Sequence, residues 1–180
     1  ENTNFNITDF LNPNIQILHI IKNNSAETIN IQLNRIFIEV ILRDLDKLKQ
    51  VNLIPTGEIK NLILRGLNNL TINAPENSIY KLEILECSNV TINGNFKRIA
   101  AVNIKNSRNI LFDKQAGNVI QSLDVENYQE TSSKYELKTA LQITKGILNI
   151  KNSPEYTIPN FNFIGNIKEV NLLYFKGSFQ

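Results

Sequence analysis

Residues 79–112 read IYKLEILECSNVTINGNFKRIAAVNIKNSRNILF, a stretch in which one pattern occurs twice at an interval of 20 residues. An apolar-x-apolar triplet stands at 82–84 and again at 102–104, and an Asn-apolar pair stands at 89–90 and again at 109–110. A fixed period near 20 residues, with no helical pattern inside it, is typical of a coil that stacks on copies of itself.

The pattern continues on both sides of this stretch, so that 50–127 is the most regular part of the chain. The triplet recurs at 62–64 and 123–125, and the Asn-apolar pair recurs at 69–70. Apolar residues alternate with a period of two inside each segment, which is the pattern of strands. Successive strands begin about 8 and about 12 residues apart in alternation, a spacing too short for the crossover helix of a βαβ unit. The sequence therefore predicts an all-β fold, a parallel β-solenoid with roughly 20-residue coils and two strands per coil.

Equivalent side chains of stacked coils form columns, because each strand pairs with its copy in the next coil about 4.8 Å away. The inward columns of the predicted solenoid are all apolar: Leu62, Leu82, Val102 and Leu123; Leu64, Ile84, Ile104 and Val125; Leu70, Val90 and Ile110; Ile72, Ile92 and Phe112. A further column contains Asn69, Asn89 and Asn109, which we interpret as a structural ladder of side-chain hydrogen bonds. Asn69 and Asn89 also begin glycosylation sequons, and a glycan is incompatible with a buried ladder.

The remaining segments are assigned to the same domain, which spans 1–180. Residues 36–50 fit either a strand followed by a turn or an amphipathic helix. Residues 128–141 are polar and predict a longer loop or a short helix that leaves the stack. Residues 153–180 concentrate aromatic side chains, and we expect them to cap the open end of the solenoid or to form a contact surface. The chain does not begin with Met, which indicates processing or excision from a longer protein.

Composition excludes several function classes. The formal net charge is +2 and 20% of the residues are charged, so no strong positive field is available and nucleic acid is not an expected partner. No apolar run approaches the roughly 20 residues that span a bilayer, so no transmembrane segment is predicted. A single cysteine, Cys87, rules out an internal disulfide.

Two coils, KLEILECSNVTINGN and AVNIKNSRNILFDKQ, resemble those of the right-handed parallel β-helix of the pectin-lyase-like superfamily. The resemblance implies stacked strands separated by small or polar turns, and enzymes that carry clustered Asp residues on one face. Here Asp is scarce and forms no such cluster. The same residues also resemble leucine-rich repeats, in which Asn or Cys is expected where Leu67, Cys87 and Ser107 stand. Only Cys87 fits, so the β-helix is the preferred resemblance.

Outward-facing residues of the predicted solenoid are the candidates for chemistry. We take six of them as candidate binding residues: Arg65, Glu83, Asn103, Lys105, Asp124 and Glu126. Glu83 and Asp124 are expected two rungs apart, on the order of 9.6 Å, which is close to the carboxylate separation of inverting glycosidases. The competing interpretation is a solvated strand face on which these charges compensate one another.

The chain shows no catalytic, metal-binding or cofactor-binding motif. His19 is the only histidine and lies among apolar residues, so no metal site is expected. Cys87 stands at a turn and is interpreted as a small turn residue. We therefore expect a non-catalytic binding or adhesion module of a secreted or cell-surface protein, with a protein or a glycan as partner and no cofactor. Alternatives are a carbohydrate-active enzyme on a β-helix and a leucine-rich-repeat protein binder, and stacked coils also allow end-to-end or side-by-side self-association.

Overall fold

The computed structural model describes residues 4–7, 12, 14–22, 25–32, 35–54, 57–74, 78–94, 99–112, 118–132, 134–135, 141–143, 146–157, 162–163 and 167–176. This part of the chain forms 15 strands and contains no α-helix. The strands are β1 (Asn4–Asn6), β2 (Ile17–Ile21), β3 (Thr28–Gln32), β4 (Glu39–Arg43), β5 (Gln50–Ile54), β6 (Ile59–Arg65), β7 (Asn68–Ala74), β8 (Ile79–Leu85), β9 (Ser88–Gly94), β10 (Ile99–Phe112), β11 (Asn118–Gln129), β12 (Leu141–Ile143), β13 (Gly146–Thr157), β14 (Asn162–Phe163) and β15 (Ile167–Lys176).

The strands wind into a parallel β-solenoid, which confirms the predicted fold class. The first sheet contains β2, β4, β6, β8, the first half of β10, β11, β13 and β15, all paired in parallel. The second sheet contains β1, β3, β5, β7, β9 and the second half of β10, also paired in parallel. Partners in register lie 20 to 25 positions apart, from Leu62 with Leu82 to Leu123 with Leu148, except that Thr157 and Lys176 lie 19 apart after a register shift.

Parallel sheets on two sides of the core favour a β-helix over a leucine-rich repeat, whose strands line one side only. β10 runs unbroken around the corner between the two sheets. A third group of inward side chains lies at the bend before the first sheet, and its members are buried: Phe37, Ile59, Ile79, Ile99 and Ile120. The sequence patterns did not single out this group.

The core consists of the predicted apolar columns. Leu62 and Leu82 pair in register, Val102 and Leu123 follow in the same row, and all four are fully buried. In the second sheet, Val90 pairs with Leu70 on one side and with Ile110 on the other. Each fully buried aliphatic side chain contributes about 1.5–3 kcal/mol, so the columns are the main source of stability.

The corner at which the chain passes from the first sheet to the second, called the first corner, has a left-handed backbone at two positions of the coil. At the first corner, one residue of each coil has a positive φ, between 47° and 62°: Lys22, Asp44, Gly66, Glu86, Asn106, Asn127, Asn152 and Tyr174. Asn69, Asn89 and Asn109 have the same conformation where the second sheet begins. The left-handed region costs most L-residues roughly 1–2 kcal/mol, and Asn is one of the few that adopt it readily. This preference accounts for the Asn of the repeated Asn-apolar pair.

Gly66 has a second constraint besides its φ of 62°. A Cβ atom on Gly66 would collide with the carboxylate oxygen of Asp44 in the preceding coil. A side chain at this rung would therefore require the half-exposed carboxylate of Asp44 to move aside, in addition to the left-handed backbone that glycine adopts most readily.

Three segments left open by the sequence join the stack. Residues 39–43 form β4 and are followed by a turn, so the helical interpretation of 36–50 is wrong. Within 128–141, β11 continues to Gln129, while 133 and 136–140 lie outside the described residues. Within 153–180, β13, β14 and β15 continue the parallel pairing. Over the described ranges, the chain forms no helix that is long and apolar enough to cross a membrane.

Candidate functional site

The six candidate residues predicted from the sequence lie on the outer face of the first sheet. Asn103 pairs with Glu83 on one side and with Asp124 on the other, so these residues form one row. Lys105 pairs with Leu85 and with Glu126, and Arg65 pairs with Leu85, which makes a neighbouring row. The register therefore places Glu83 and Asp124 two rungs apart, on the order of 9.6 Å.

Most charges on this first face are partnered within the face. Lys105 Nζ lies 3.8 Å from Glu126 Oε2, and Arg65 Nη2 lies 3.2 Å from Oε1 of Glu86. Glu83 Oε2 accepts a 3.2 Å hydrogen bond from Asn61 Nδ2. Half-exposed ion pairs contribute only about 0–1 kcal/mol each, but they cancel the local charge that a ligand would encounter.

Two acceptor atoms of the first face remain unpaired. Oδ1 of Asp124 and Oδ1 of Asn61 are inaccessible to solvent and have no hydrogen-bond partner among the described residues. Each is an oxygen without a donor, and an unsatisfied buried oxygen of this kind is uncommon in a folded protein. In the row that contains Glu83 and Asp124, Oδ1 of Asp124 can therefore still accept a hydrogen bond.

The outer face of the second sheet carries an asparagine ladder that sequence reasoning missed. In it, each Nδ2 donates to Oδ1 of the preceding rung: Asn30 to Asn6 at 2.7 Å, Asn52 to Asn30 at 2.8 Å, Asn73 to Asn52 at 2.8 Å and Asn93 to Asn73 at 3.0 Å. All four bonds have the same direction, so the donating asparagines have the same orientation from rung to rung. The five rungs span about 19 Å at the usual strand spacing.

A second row of uncharged polar groups lies beside the ladder. Its members pair in register and are Thr28, Gln50, Thr71 and Thr91. We call these residues, with the five ladder asparagines, the Asn–Thr face. Strands β1, β3, β5, β7 and β9 contain no Asp, Glu, Lys, Arg or His, so the face carries no charge at any rung. A repeated Thr-Ile-Asn triplet at 28–30, 71–73 and 91–93 is the sequence signal that would have located it.

The amide ladder expected at Asn69, Asn89 and Asn109 lies at the corner next to the Asn–Thr face. Asn89 Nδ2 donates to Asn69 Oδ1 at 2.9 Å, and Asn109 Nδ2 donates to Asn89 Oδ1 at 2.9 Å. The backbone N–H of Thr131 donates to Asn109 Oδ1 at 2.8 Å, which extends the row by one rung. The Nδ2 atom that a glycan would modify at Asn89 is therefore used within the protein.

A polar groove of about 310 Å³ follows the first corner. Its walls are Asn68, Ser88, Arg108 and Gln129 on one side and Glu86, Asn106 and Asn127 on the other, with Cys87 and Ser107 between them. Glu86 is paired with Arg65, whereas the Arg108 side chain has no partner within the described ranges. Arg108 is therefore the uncompensated charge of this corner groove.

Cys87 is structural, as interpreted from the sequence. It is 2% exposed, and its thiol donates to the backbone oxygen of Leu85 at 3.2 Å. Burial raises the pKa of the Cys87 thiol to about 11, with backbone hydrogen bonds opposing the shift only in part. At neutral pH the group is a thiol rather than a thiolate, which makes it a poor nucleophile.

His19 and the acidic residues assemble no metal centre in the described chain. His19 Nε2 lies 2.8 Å from Glu39 Oε2 on the first face. Over the residues that the structure covers, no group of three or more His, Cys, Asp and Glu is arranged to hold an ion.

Comparison with protein-family models, curated proteins and solved structures finds no match to this chain.

Proposed function

We propose that the protein is a non-catalytic glycan-binding module of a secreted or cell-surface protein, and that the Asn–Thr face is its binding surface. The observation that carries this proposal is the combination of polarity and neutrality on that face. Side-chain amides and hydroxyls repeat in register over several rungs, and the strands that hold them contain no ionisable residue. Neutral sugars present hydroxyl groups that both donate and accept hydrogen bonds, which matches amides and hydroxyls.

A glycan fits this face better than a protein does. Protein interfaces depend on buried aromatic or arginine anchors, and neither kind of residue is present in the two rows. The Asn amides keep hydrogen-bonding capacity for a ligand, because each ladder bond uses one of two N–H groups and one of two oxygen lone pairs. The ladder also holds these side chains in one conformation, which reduces the entropic cost of binding.

The proposal is tested by titrating the protein with soluble neutral polysaccharides, using calorimetry and NMR chemical shifts. Thr71→Arg places a bulky charged side chain on the fourth of the five rungs of the Asn–Thr face, and Asn103→Arg places the same side chain on the first face. Both original residues are half-buried and point outward, so circular dichroism is expected to show both variants folded. Binding is expected to weaken at least about tenfold in Thr71→Arg, a change of 1.4 kcal/mol, and to persist in Asn103→Arg.

Other outcomes of the titration would place the binding surface on a different part of the protein. Loss of binding in Asn103→Arg but not in Thr71→Arg would place the ligand on the first face. A tenfold loss in Arg108→Gln would place it in the corner groove, since Arg108 lies outside the Asn–Thr face. If no neutral polysaccharide binds the wild-type protein, the proposed function is wrong.

A carbohydrate-active enzyme is the second candidate, favoured only by the row that contains Glu83 and Asp124. Hydrolysis by inversion needs two carboxylates far enough apart to admit a water molecule, and the register places these two in one row with Asn103 between them. The test is release of reducing ends from polysaccharides. Turnover by the wild-type protein that disappears in both Glu83→Gln and Asp124→Asn would establish the enzyme and overturn the non-catalytic proposal.

A further inference from the structure

We infer that the Asn–Thr face binds an extended neutral polysaccharide whose chain lies along the solenoid axis, with one sugar opposite each rung. This inference rests on the proposed function and specifies its ligand. It follows from the repetition of the face rather than from any single residue. A globular ligand meets such a surface at one or two rungs, whereas a linear polymer can use all of them.

The spacing of the rungs matches the repeat of an extended polysaccharide. Neighbouring rungs are separated by about 4.8 Å, and a pyranose unit in an extended chain advances by close to one rung. Each sugar can therefore meet an equivalent set of groups, an Asn amide and, on three of the rungs, a Thr hydroxyl. A chain laid across the sheet, along the strand direction, would meet at most three outward positions, such as Thr28, Asn30 and Gln32 on β3, and would then reach the corner.

The hydrogen bonds of the ladder all run in one direction along the stack. Asn30, Asn52, Asn73 and Asn93 each donate toward the N-terminal end of the stack, and Asn6 is the terminal acceptor. The second N–H of each donor consequently has the same orientation from rung to rung, whereas Oδ1 of Asn52 accepts from both Asn73 and Gln50 and has no lone pair left for a ligand. A polysaccharide chain also repeats with a fixed direction, so a contact that is favourable at one rung is favourable at all of them.

Neutrality sets the chemistry of the polymer. An anionic chain would find no counter-charge on β3, β5, β7 or β9 and would lose solvation of its charges without a partner. An apolar fibre would leave the ladder amides without hydrogen bonds from water. A neutral chain of hydroxyl-bearing sugars incurs neither penalty.

The inference is tested with a length series of one neutral oligosaccharide, from one to seven sugars, titrated into the intact protein. The series is chosen from the polysaccharide that binds best. Affinity is expected to rise roughly two- to tenfold with each added sugar, which corresponds to one net hydrogen bond. The rise is expected to stop at about four or five sugars, because the face ends after five rungs.

Two arginine variants test whether each successive rung contributes to the binding of the oligosaccharide. Thr91→Arg blocks the last rung, so affinity is expected to stop rising about one sugar earlier than in the wild-type protein, without loss of binding. Thr71→Arg blocks the fourth rung, which leaves three uninterrupted rungs, and is expected to stop the rise in affinity at about three sugars. Thr71→Val removes only the hydroxyl and keeps the shape, so it reports on the hydrogen bond if the arginine variant does not fold.

The outcomes separate this inference from the proposed function. A plateau at one or two sugars, with binding still lost in Thr71→Arg, overturns the axial arrangement but keeps the glycan-binding face. Equal effects of Thr91→Arg and Thr71→Arg on every length also overturn it. An absence of binding at all lengths and to the parent polysaccharide overturns the proposed function itself.

Discussion

Removal of the Tyr156 hydroxyl is expected to stabilise the protein. Tyr156 is fully buried in the C-terminal part of the core, and its hydroxyl has no hydrogen-bond partner among the described residues. Its ring packs edge-to-face on Tyr128 with 5.1 Å between centroids, a contact that Phe retains. Burial of an unpaired hydroxyl costs about 1–3 kcal/mol, so Tyr156→Phe should raise the free energy of unfolding by about that amount.

Tyr128→Phe is the matched control, with the opposite sign. The Tyr128 hydroxyl accepts a 3.0 Å hydrogen bond from the backbone N–H of Ile110 and donates to the backbone oxygen of Ile110 at 3.4 Å. Its removal leaves a buried N–H without an acceptor, which costs about 1–3 kcal/mol. The two substitutions delete the same atom from neighbouring rings, so differences in hydrophobicity and denatured-state effects largely cancel.

Urea unfolding followed by far-ultraviolet circular dichroism measures both variants. The midpoint is expected to increase for Tyr156→Phe and to decrease for Tyr128→Phe, with unchanged slopes. If Tyr156→Phe destabilises the protein as much as Tyr128→Phe does, the Tyr156 hydroxyl has a partner and the reasoning is refuted.

Three further predictions concern the core and the ladder. Burial raises the pKa of Tyr128 and of Tyr156 well above the usual range, with the charge of Glu130 adding to the shift for both. Both remain protonated in the folded state, so their contribution to stability should be constant below about pH 10 and fall by up to roughly 1.4 kcal/mol per pH unit per tyrosine above it. The raised pKa of Cys87 adds a smaller loss that begins at about pH 9, and urea midpoints that do not fall above pH 10 would contradict the tyrosine shifts. Burial raises the pKa of the Cys87 thiol to about 11, so the thiol should not react with Ellman's reagent at pH 8 in the folded protein but should react fully in denaturant. Rapid reaction without denaturant would contradict its burial. Asn52 donates to Asn30 and accepts from Asn73 and Gln50, so Asn52→Ala should lower the free energy of unfolding in urea by about 1–3 kcal/mol. Asn103→Ala loses no hydrogen bond within the described chain and should lower it by less than about 0.5 kcal/mol. Equal losses in the two variants would mean that the ladder bonds do not contribute to stability.

The core was predictable because it follows from periodicity alone. The period of two within strands and the 20-residue interval between coils assign Leu62, Leu82 and Val102 to one column without any knowledge of the structure. The Asn-apolar pair was equally visible, and its left-handed backbone explains why Asn recurs there. Less regular spacing made the outer coils harder to place. The wrong helical alternative for 36–50 arose because Leu and Lys near its end mimic a helical face.

The candidate site was predicted only in part. The outward rows of the first sheet were assigned correctly by position, since side chains alternate strictly along a strand. The Asn–Thr face was missed because Asn30 and Asn52 lie in coils of 22 and 21 residues outside the strict repeat. The corner groove was also missed, because its walls come from residues on both sides of a turn, and four successive coils supply them.

By itself, the sequence determined that the chain forms stacked parallel coils and which side chains fill them, because burial of a column is possible only if equivalent positions are apolar in every coil. Only the tertiary structure decided which outward residues meet. Hydrogen bonds between Asn6, Asn30, Asn52, Asn73 and Asn93 depend on the exact register of coils of unequal length. That register is set by the packing of the whole stack, so the uniform neutral face on which the proposed function rests is a property of the assembled solenoid.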